Sequence, residues 1–269
     1  MTLAEALAAA RQQIDRLDAR LLLEYATGYT HVDVLARPET EIIAPAQAQF
    51  EGWVARRAAG EPLAYLVGEA EFRGRVYQVS PDVLIPRPET EVLIEQALLR
   101  MPKQAARVVD LGTGSGIVAI SLALEAPQAA VMAVDLSAPA LAVARNNAGR
   151  LGASVVFHQG SWFAPLAGER FDLIVSNPPY VAAGDPHLAL NGLPYEPQMA
   201  LTDGSDGLEC IRAIIAGAAE HLKPGGWLLF EHGYDQGEAS RNLLTAAGLK
   251  NAFTHPDLAG IDRVSGAQL

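Results

Sequence analysis

Apolar and polar positions divide the 269-residue chain into an amino-terminal helical part and a longer part in which strands and helices alternate. Near-helical spacing of leucine and isoleucine predicts one helix from residue 2 to about residue 28. Start and stop signals predict two shorter helices and a last short turn before residue 69. Two short runs within residues 71–79 then predict a β-hairpin.

From residue 107 onward, short apolar, β-branched runs alternate with segments of helical period, which predict a helix at 117–125 and one at 139–151 that Ser137 caps. Strands are predicted at 107–111, 130–134, 154–158, 171–176 and 227–230, with weaker ones near 249–253 and 263–268. This alternation predicts a mostly parallel sheet with helices on both faces, and ligands bind outside the carboxyl ends of such strands. Asp110, Asp135 and Asn177 lie at those ends. Residues 181–205 have few periodic signals and are expected to form a long active-site loop.

The fourth strand of this α/β part ends in Asn177-Pro178-Pro179-Tyr180. The prolines restrict their own φ angles and the backbone of the preceding residue, so this segment is stiff. An amide oxygen, a proline carbonyl and an aromatic ring suit a planar NH2 group. Its two hydrogens would go to the Asn177 side chain and the Pro178 carbonyl, while Tyr180 packs against its plane. A strand simply stopped by prolines is the competing interpretation.

Glycines recur where the first strand of the α/β part turns into a helix, in the run from Asp110 to Gly116. Their spacing is G-x-G-x-G, whereas dinucleotide folds need G-x-G-x-x-G, whose third glycine position is here Ile117. A pyrophosphate seat is therefore disfavoured, while S-adenosylmethionine remains compatible. Asp135, at the end of the second strand, is placed to accept both ribose hydroxyls. This turn and the Asn-Pro-Pro-Tyr segment together predict methyl transfer to an NH2 group.

The composition and charge of the chain limit the kinds of molecule that it is expected to bind. The chain has 20 Lys and Arg against 31 Asp and Glu, a net charge of -11, which argues against a surface that grips DNA or RNA phosphates. A protein partner fits better. The single cysteine, Cys210, and the scattered histidines favour a reducing compartment and no metal site. Residues 1–10 read as an amphipathic helix instead of a signal peptide, and no apolar run is long enough to span a membrane, so a cytoplasmic protein is expected.

These residues resemble the PrmC/HemK family of release-factor glutamine methyltransferases, over nearly the whole chain. The resemblance is carried by residues 21–24, 60–62, 84–91, 110–116, 176–180 and 231–233. Any class I methyltransferase could share the glycine turn, and amino-directed DNA enzymes share the Asn-Pro-Pro-Tyr type of loop. The Ile-Pro-Arg-Pro-Glu-Thr-Glu segment behind a helical amino-terminal domain is the specific part.

The resemblance implies an α/β fold of the class I S-adenosylmethionine-dependent methyltransferases, Rossmann-like, with a seven-stranded, mostly parallel sheet containing one antiparallel strand. It implies a small helical bundle at residues 1–68, a hairpin linker at 69–88 and a methyltransferase domain at 89–269. The substrate implied is the glutamine of the Gly-Gly-Gln tripeptide in peptide-chain release factors. We expect a monomer whose bundle serves either substrate recognition or only stability.

Residue roles follow from the same resemblance. Asn177, Pro178 and Tyr180 are the expected catalytic residues, and together with Pro179 they would hold the glutamine. Arg87 is a further candidate for substrate binding because two flanking prolines fix its direction, and a solvated, exposed loop arginine is the competing interpretation. The expected cofactor contacts are Gly112, Thr113, Gly114, Ser115, Gly116, Asp135, Trp162 and Asn177. Without the resemblance, Trp162 would be interpreted as a core residue. One departure is Ser161, which stands where the family often has an acid before the aromatic residue.

Three questions stay open at this level. An amino methyltransferase acting on a nucleic-acid base would share the site but should bring a basic face. A non-catalytic translation-factor binding protein could keep the fold without turnover. Glu231 and His232 end the fifth strand, and a structural hydrogen-bonded pair is the preferred interpretation over a role with substrate.

Overall fold

The computed structural model describes residues 1–190 and 192–269, so Asn191, in the expected long loop, lies outside the described residues. Contacts divide the chain into two compact units. The first comprises Met1–Glu69 and Ala189–Tyr195, and the second Ala70–Leu188 and Glu196–Leu269. The predicted division into three parts at residues 68 and 88 remains a prediction.

The described residues of the first unit form five α-helices: α1 (Leu3–Ala10), α2 (Arg16–Thr27), α3 (His31–Ala36), α4 (Ala44–Ala58) and α5 (Leu63–Val67). Their apolar faces bury a core that includes Leu3, Leu22 and Phe50. The prediction of one helix to about residue 28 is wrong. The chain turns after Ala10, and Asp15 begins α2 as its N-cap by accepting a 2.7 Å hydrogen bond from the Leu17 N–H.

The rest of the chain holds a hairpin and a seven-stranded sheet with its helices. In chain order the elements are β1 (Glu69–Phe72), β2 (Arg75–Gln78), α6 (Thr90–Arg100), β3 (Arg107–Leu111), α7 (Ile117–Glu125), β4 (Ala130–Asp135), α8 (Ala138–Leu151), β5 (Val155–Gln159), β6 (Phe171–Ser176), α9 (Gln198–Leu201), α10 (Glu209–His221), β7 (Leu222–Glu231), α11 (Gly237–Ala246), β8 (Lys250–Pro256) and β9 (Asp262–Gln268). No helix of the described residues is long and apolar enough to cross a membrane.

Among the described residues the strand order is β5-β4-β3-β6-β7-β9-β8, and of these strands only β9 runs against the others. The predicted seven-stranded, mostly parallel sheet with one antiparallel strand is confirmed. β3 lies beside both β4 and β6, so the order reverses next to it, and the crevice at such a switch point is where ligands bind in open α/β sheets. Leu111 pairs with Ser176 in this register, which brings the glycine turn and Asn177 to one edge.

Two apolar layers cover the sheet because its central strands are apolar on both faces. Val108 and Leu173 belong to one layer, and Val109 and Ile174 to the other, as the alternation of side chains along a strand requires.

The hairpin of β1 and β2 is fastened to α7. Tyr77 is fully buried and its hydroxyl lies 3.1 Å from the Ser121 hydroxyl. Arg73 donates two hydrogen bonds to the Glu125 carboxylate, at 3.0 and 2.9 Å. A two-stranded hairpin is marginal by itself, and these contacts hold it in place together with the two hydrogen bonds, at 2.7 and 2.9 Å, between the Asn147 side chain on α8 and the Gln78 backbone.

The expected loop at 181–205 contains short helical turns at 186–189 and 193–195 besides α9. Residues from the second half of this loop also line the cavity of the second unit.

Candidate active site

A cavity of about 350 Å³ opens in the second unit at the carboxyl ends of β3, β4 and β6. Seven of the eight expected cofactor residues line it, namely Gly112, Thr113, Gly114, Ser115, Asp135, Trp162 and Asn177. Among the expected substrate residues, Arg87, Asn177 and Pro179 line it as well. Gly116, Pro178 and Tyr180 are not among the described residues that line the cavity. The roles assigned to all of these residues remain predictions.

The glycine turn needs its glycines for backbone conformation and for close packing. Gly112, Gly114 and Gly116 have φ angles of 75°, 55° and 87°, which residues with a side chain rarely adopt. A Cβ at Gly116 would lie 2.8 Å from the Cδ1 atom of Ile120. Gly116 therefore lets α7 start directly behind the turn, and bare backbone at the other two glycines lines the cavity.

Asp110 is a buried acid with one oxygen left over. Its Oδ2 accepts hydrogen bonds from the Thr113 hydroxyl at 2.6 Å and from the Ala119 N–H at 3.2 Å. Its Oδ1 is buried and accepts nothing from any described residue. Burial raises the pKa of this carboxyl to about 7. Asp110 lines the cavity, and a carboxylate with one oxygen unpaired suits a cationic ligand such as the ammonium group of S-adenosylmethionine.

The Asp135 carboxylate binds the glycine turn and can still accept further hydrogen bonds. Its Oδ2 accepts from the Gly114 N–H and its Oδ1 from the Ser137 N–H, both at 2.8 Å. Each carboxylate oxygen offers two acceptor sites, so the two ribose hydroxyls of a nucleoside could still be bound. Burial raises the pKa of Asp135. The described residues thus fit S-adenosylmethionine in two ways. Asp110 has one carboxylate oxygen without a partner, and the Asp135 carboxylate, which binds the glycine turn, can still accept further hydrogen bonds.

Trp162 packs across the glycine turn. A Cβ added at Gly112 would touch the Trp162 ring at 3.4 Å, and Trp162 itself has a positive φ of 47°. Such a backbone conformation is costly for a large residue and is found mostly at functional sites. Ser161, the departure noted in the sequence, also lines the cavity.

Asn177 is oriented by a threonine that the sequence analysis did not single out. The Asn177 Nδ2 donates to the Thr90 hydroxyl oxygen at 3.2 Å, and no described residue donates to the Asn177 Oδ1. Thr90, the first residue of α6, is fully buried and donates in turn to the Glu231 Oε2 at 2.7 Å. The amide therefore has its NH2 side occupied and its oxygen available, as the predicted role requires.

Tyr180 is anchored through both its hydroxyl and its backbone. The hydroxyl donates to the Glu231 Oε1 at 3.0 Å, and the carbonyl accepts from the Gln236 Nε2 at 2.9 Å. Burial and the neighbouring Glu231 raise the pKa of this phenol. A Cβ at Gly207 would lie 2.5 Å from the Tyr180 carbonyl oxygen, so the chain can pass there only as glycine.

Glu231 and His232 do not form the hydrogen-bonded pair that the sequence favoured. Glu231 binds the two hydroxyl groups just described, while His232 has its Nε2 at 2.9 Å from the Ser265 hydroxyl and its Nδ1 at 2.7 Å from the Gly233 carbonyl. Successive strand residues point to opposite faces, so neighbours at a strand end meet different partners. Burial lowers the pKa of His232.

Arg87 is paired and not freely solvated. Its guanidinium donates to the Glu196 Oε1 at 2.5 Å, and the Ile85 N–H donates to the Glu196 Oε2 at 3.0 Å. The Glu196 side chain is only 1% exposed. This carboxylate joins the two sides of the cavity rim, the segment before α6 and the segment before α9.

Thr90, Glu196 and Gln236 are the residues that sequence reasoning missed. Thr90 sits inside the Pro-Glu-Thr-Glu run used for the family resemblance, so a signal was present. Glu196 and Gln236 carry no local signal, because each lies in an irregular segment and acts on a residue more than fifty positions away.

A glycine turn beside an acid-ended second strand, in a seven-stranded sheet with one antiparallel strand, defines the fold of a class I methyltransferase. Family models agree. One described as the PrmC N-terminal domain matches residues 2–68, and one described as the methyltransferase small domain matches residues 89–191. A methyltransferase from Pyrococcus furiosus has the same fold, with a TM-score of 0.56 at 19% identity over 82% of this chain and 96% of that one.

Two curated relatives are much more similar. The release factor glutamine methyltransferase of Bordetella pertussis is 52% identical over 259 residues, which cover 95% of this chain and 96% of that protein. The release factor glutamine methyltransferase of Neisseria gonorrhoeae is 51% identical over 255 residues, 94% and 93% of the two chains. The chain belongs to the release factor glutamine methyltransferase family, which confirms the resemblance stated from its motifs.

Proposed function

We propose that this protein methylates the side-chain amide nitrogen of a glutamine in peptide-chain release factors, with S-adenosylmethionine as methyl donor. The glutamine is that of the Gly-Gly-Gln tripeptide. One observation carries the proposal beyond family membership. The Asn177 amide lines the cavity with its NH2 side bound by Thr90, so that its oxygen is the group left to accept a hydrogen bond from a substrate NH2.

The chain's own residues would hold the cofactor at the glycine turn. Asp110 would bind its ammonium group, Asp135 its ribose hydroxyls, and the Trp162 ring would pack against its adenine. Bare backbone at Gly112 and Gly114 would allow close approach. Bound there, S-adenosylmethionine supplies an electrophilic methyl group.

The substrate amide needs orientation because its nitrogen lone pair is shared with the carbonyl. Asn177 and the Pro178 carbonyl would accept the two N–H hydrogens, and this favours the tetrahedral nitrogen that forms on attack. Tyr180, held at both ends, would pack against the amide plane. Alignment of the reacting atoms can contribute as much as about 7 to 11 kcal/mol to the lowering of a barrier.

Partner and location follow from this substrate. A release factor acts in translation, so the protein works in the cytoplasm, on a protein partner and without binding nucleic acid directly. The net charge of -11 supports a protein partner. The amino-terminal helices, 1–68, serve substrate recognition.

The test is methyl transfer from labelled S-adenosylmethionine to a recombinant release factor, followed by mass spectrometry of the tripeptide. We expect one methyl group on the glutamine and none when that glutamine is replaced by alanine. Short DNA and RNA duplexes serve as alternative acceptors in the same assay. Label on nucleic acid, or no label on the release factor, would contradict the proposal.

A further inference from the structure

Glu231 is a buried carboxylate directly behind the Asn-Pro-Pro-Tyr segment. It is the last residue of β7, the strand that pairs with β6, and is 1% exposed. Its Oε2 accepts from the Thr90 hydroxyl at 2.7 Å and its Oε1 from the Tyr180 hydroxyl at 3.0 Å. One carboxylate thus contacts the last residue of the segment directly and the first through Thr90.

The direction of the two Thr90 hydrogen bonds decides which end of the Asn177 amide faces Thr90. A threonine hydroxyl has one proton, and Thr90 gives it to Glu231. The Thr90 oxygen can therefore only accept from Asn177, as it does at 3.2 Å. If Thr90 donated to Asn177 instead, the amide would turn over, since its two ends have nearly the same shape. Its NH2 would then replace the oxygen that a substrate amide needs.

A carboxylate is a costly group to place here. Removing a carboxylate from water costs several kcal/mol unless partners compensate, and well-packed apolar residues of similar volume are often at least as stabilising. Burial raises the pKa of Glu231. The hydrogen bonds from Thr90 and Tyr180 and the charge of Arg263 oppose that effect, and the charge of Glu89 adds to it. Its two acceptor oxygens are thus better explained by orientation of the site than by stability of the fold.

We infer that Glu231 is a positioning residue of the methyl transfer. It takes the Thr90 proton, so Thr90 accepts from Asn177 and the Asn177 oxygen is aimed at the substrate amide. The same carboxylate holds the Tyr180 hydroxyl. This inference rests on the proposed function, and it adds to it the group that orients the substrate-binding amide.

Two substitutions at each relay position test the direction of the bonds. Glu231→Met removes both acceptor oxygens, whereas Glu231→Gln can still accept from Thr90 with Oε1 while its NH2 donates to the Tyr180 oxygen. Thr90→Val removes the relay hydroxyl, whereas Thr90→Ser keeps it. Tyr77→Phe is the matched control, because it removes a buried hydroxyl outside the cavity.

The readouts are kcat with a release factor, S-adenosylmethionine affinity by calorimetry, and thermal melting. We expect kcat to fall by on the order of 100-fold in Glu231→Met and in Thr90→Val, by analogy with loss of one oriented transition-state contact. Cofactor affinity should be unchanged. Glu231→Gln and Thr90→Ser should recover most of that loss, and Tyr77→Phe should change melting only. The double variant Glu231→Met/Thr90→Val should be no slower than its slower parent, because both act on one relay.

Results that contradict the inference about Glu231 can be distinguished from failure of the proposed function. No transfer by the wild-type protein would refute that function. Normal wild-type transfer combined with near-normal kcat in folded Glu231→Met would refute the inference, as would multiplicative losses in the double variant. A glutamine variant as slow as the methionine variant would assign the effect to charge and also overturn it. If Glu231→Met does not fold, equal rates for Thr90→Val and Thr90→Ser would overturn the relay.

Discussion

Replacement of Asn177 probes the centre of the site. Asn177→Ala removes the oxygen that would accept from the substrate NH2, and it also leaves the Thr90 oxygen without its 3.2 Å donor. The bond should strengthen as the nitrogen becomes tetrahedral, so the loss should appear in the rate more than in binding. Loss of one such contact costs about 100-fold to 1,000-fold in kcat, about 2.7 to 4 kcal/mol.

Asn177→Asp is the more searching change because it keeps an acceptor oxygen and nearly the same shape. Its second oxygen would face Thr90, whose only proton goes to Glu231. Two carboxylates would then compete for one hydroxyl. We therefore expect the aspartate variant to keep more activity than alanine and much less than asparagine.

Single-turnover rates at saturating cofactor, measured beside thermal melts, separate the interpretations. Asn146→Ala, which removes an exposed asparagine side chain on α8, is the matched control and should leave the rate unchanged. If Asn177 merely ended a strand, both variants would lose stability together and keep their rate per folded molecule. Near-normal turnover by a folded Asn177→Ala protein would refute the reasoning.

Three further predictions follow from the cavity. Asp135→Asn should weaken S-adenosylmethionine binding by at least about tenfold, about 1.4 kcal/mol, because a charged acceptor is lost; unchanged affinity in calorimetry would remove this residue from the cofactor site. Burial raises the pKa of Asp110 to about 7 in the folded protein. Its contribution to the free energy of unfolding is therefore full below the pKa of the same group in the unfolded chain, and it is lost as the pH rises from about 4 through about 7. Unfolding in denaturant of the cofactor-free protein should show that decline, and Asp110→Asn should lack it; the same decline in both proteins would contradict the assignment. Arg87→Ala should lower activity and also the melting temperature, because the buried Glu196 carboxylate loses its cation, and adding Glu196→Gln should restore melting without restoring activity. Wild-type activity in Arg87→Ala would show that this ion pair does not support the site.

Local patterns determined most of the α/β part of the fold. The strand Arg107–Leu111 and the helix Ile117–Glu125 have the predicted bounds, and the helix after Ser137 begins at its predicted cap. Each of these elements is specified within a short stretch, by β-branched runs, a capping side chain or glycines at a turn. The prediction of one long first helix was wrong because another local signal decided the structure there. A leucine pattern continued past Ala10, and the capping preference of Asp15 overrode it.

The sequence also placed Asp110, Asp135 and Asn177 at one edge of a sheet, because parallel strands end on the same side. It offered a chemistry for the Asn-Pro-Pro-Tyr segment from residue types alone. What it could not supply was the pairing of Arg87, which is read as an exposed loop residue until Glu196 is brought to it from 109 positions away.

Orientation of the site was decided only by the tertiary structure. Thr90 lies 87 positions from Asn177 and 141 from Glu231, and no periodicity links residues so far apart. A hydrogen bond depends on distances of tenths of an ångström and on which partner holds the proton, and both are set by how α6 packs beside β6 and β7. Asp135 and Asn177 were therefore readable along the chain, whereas the part played by Thr90 and the direction in which the Asn177 amide points follow from packing between distant segments.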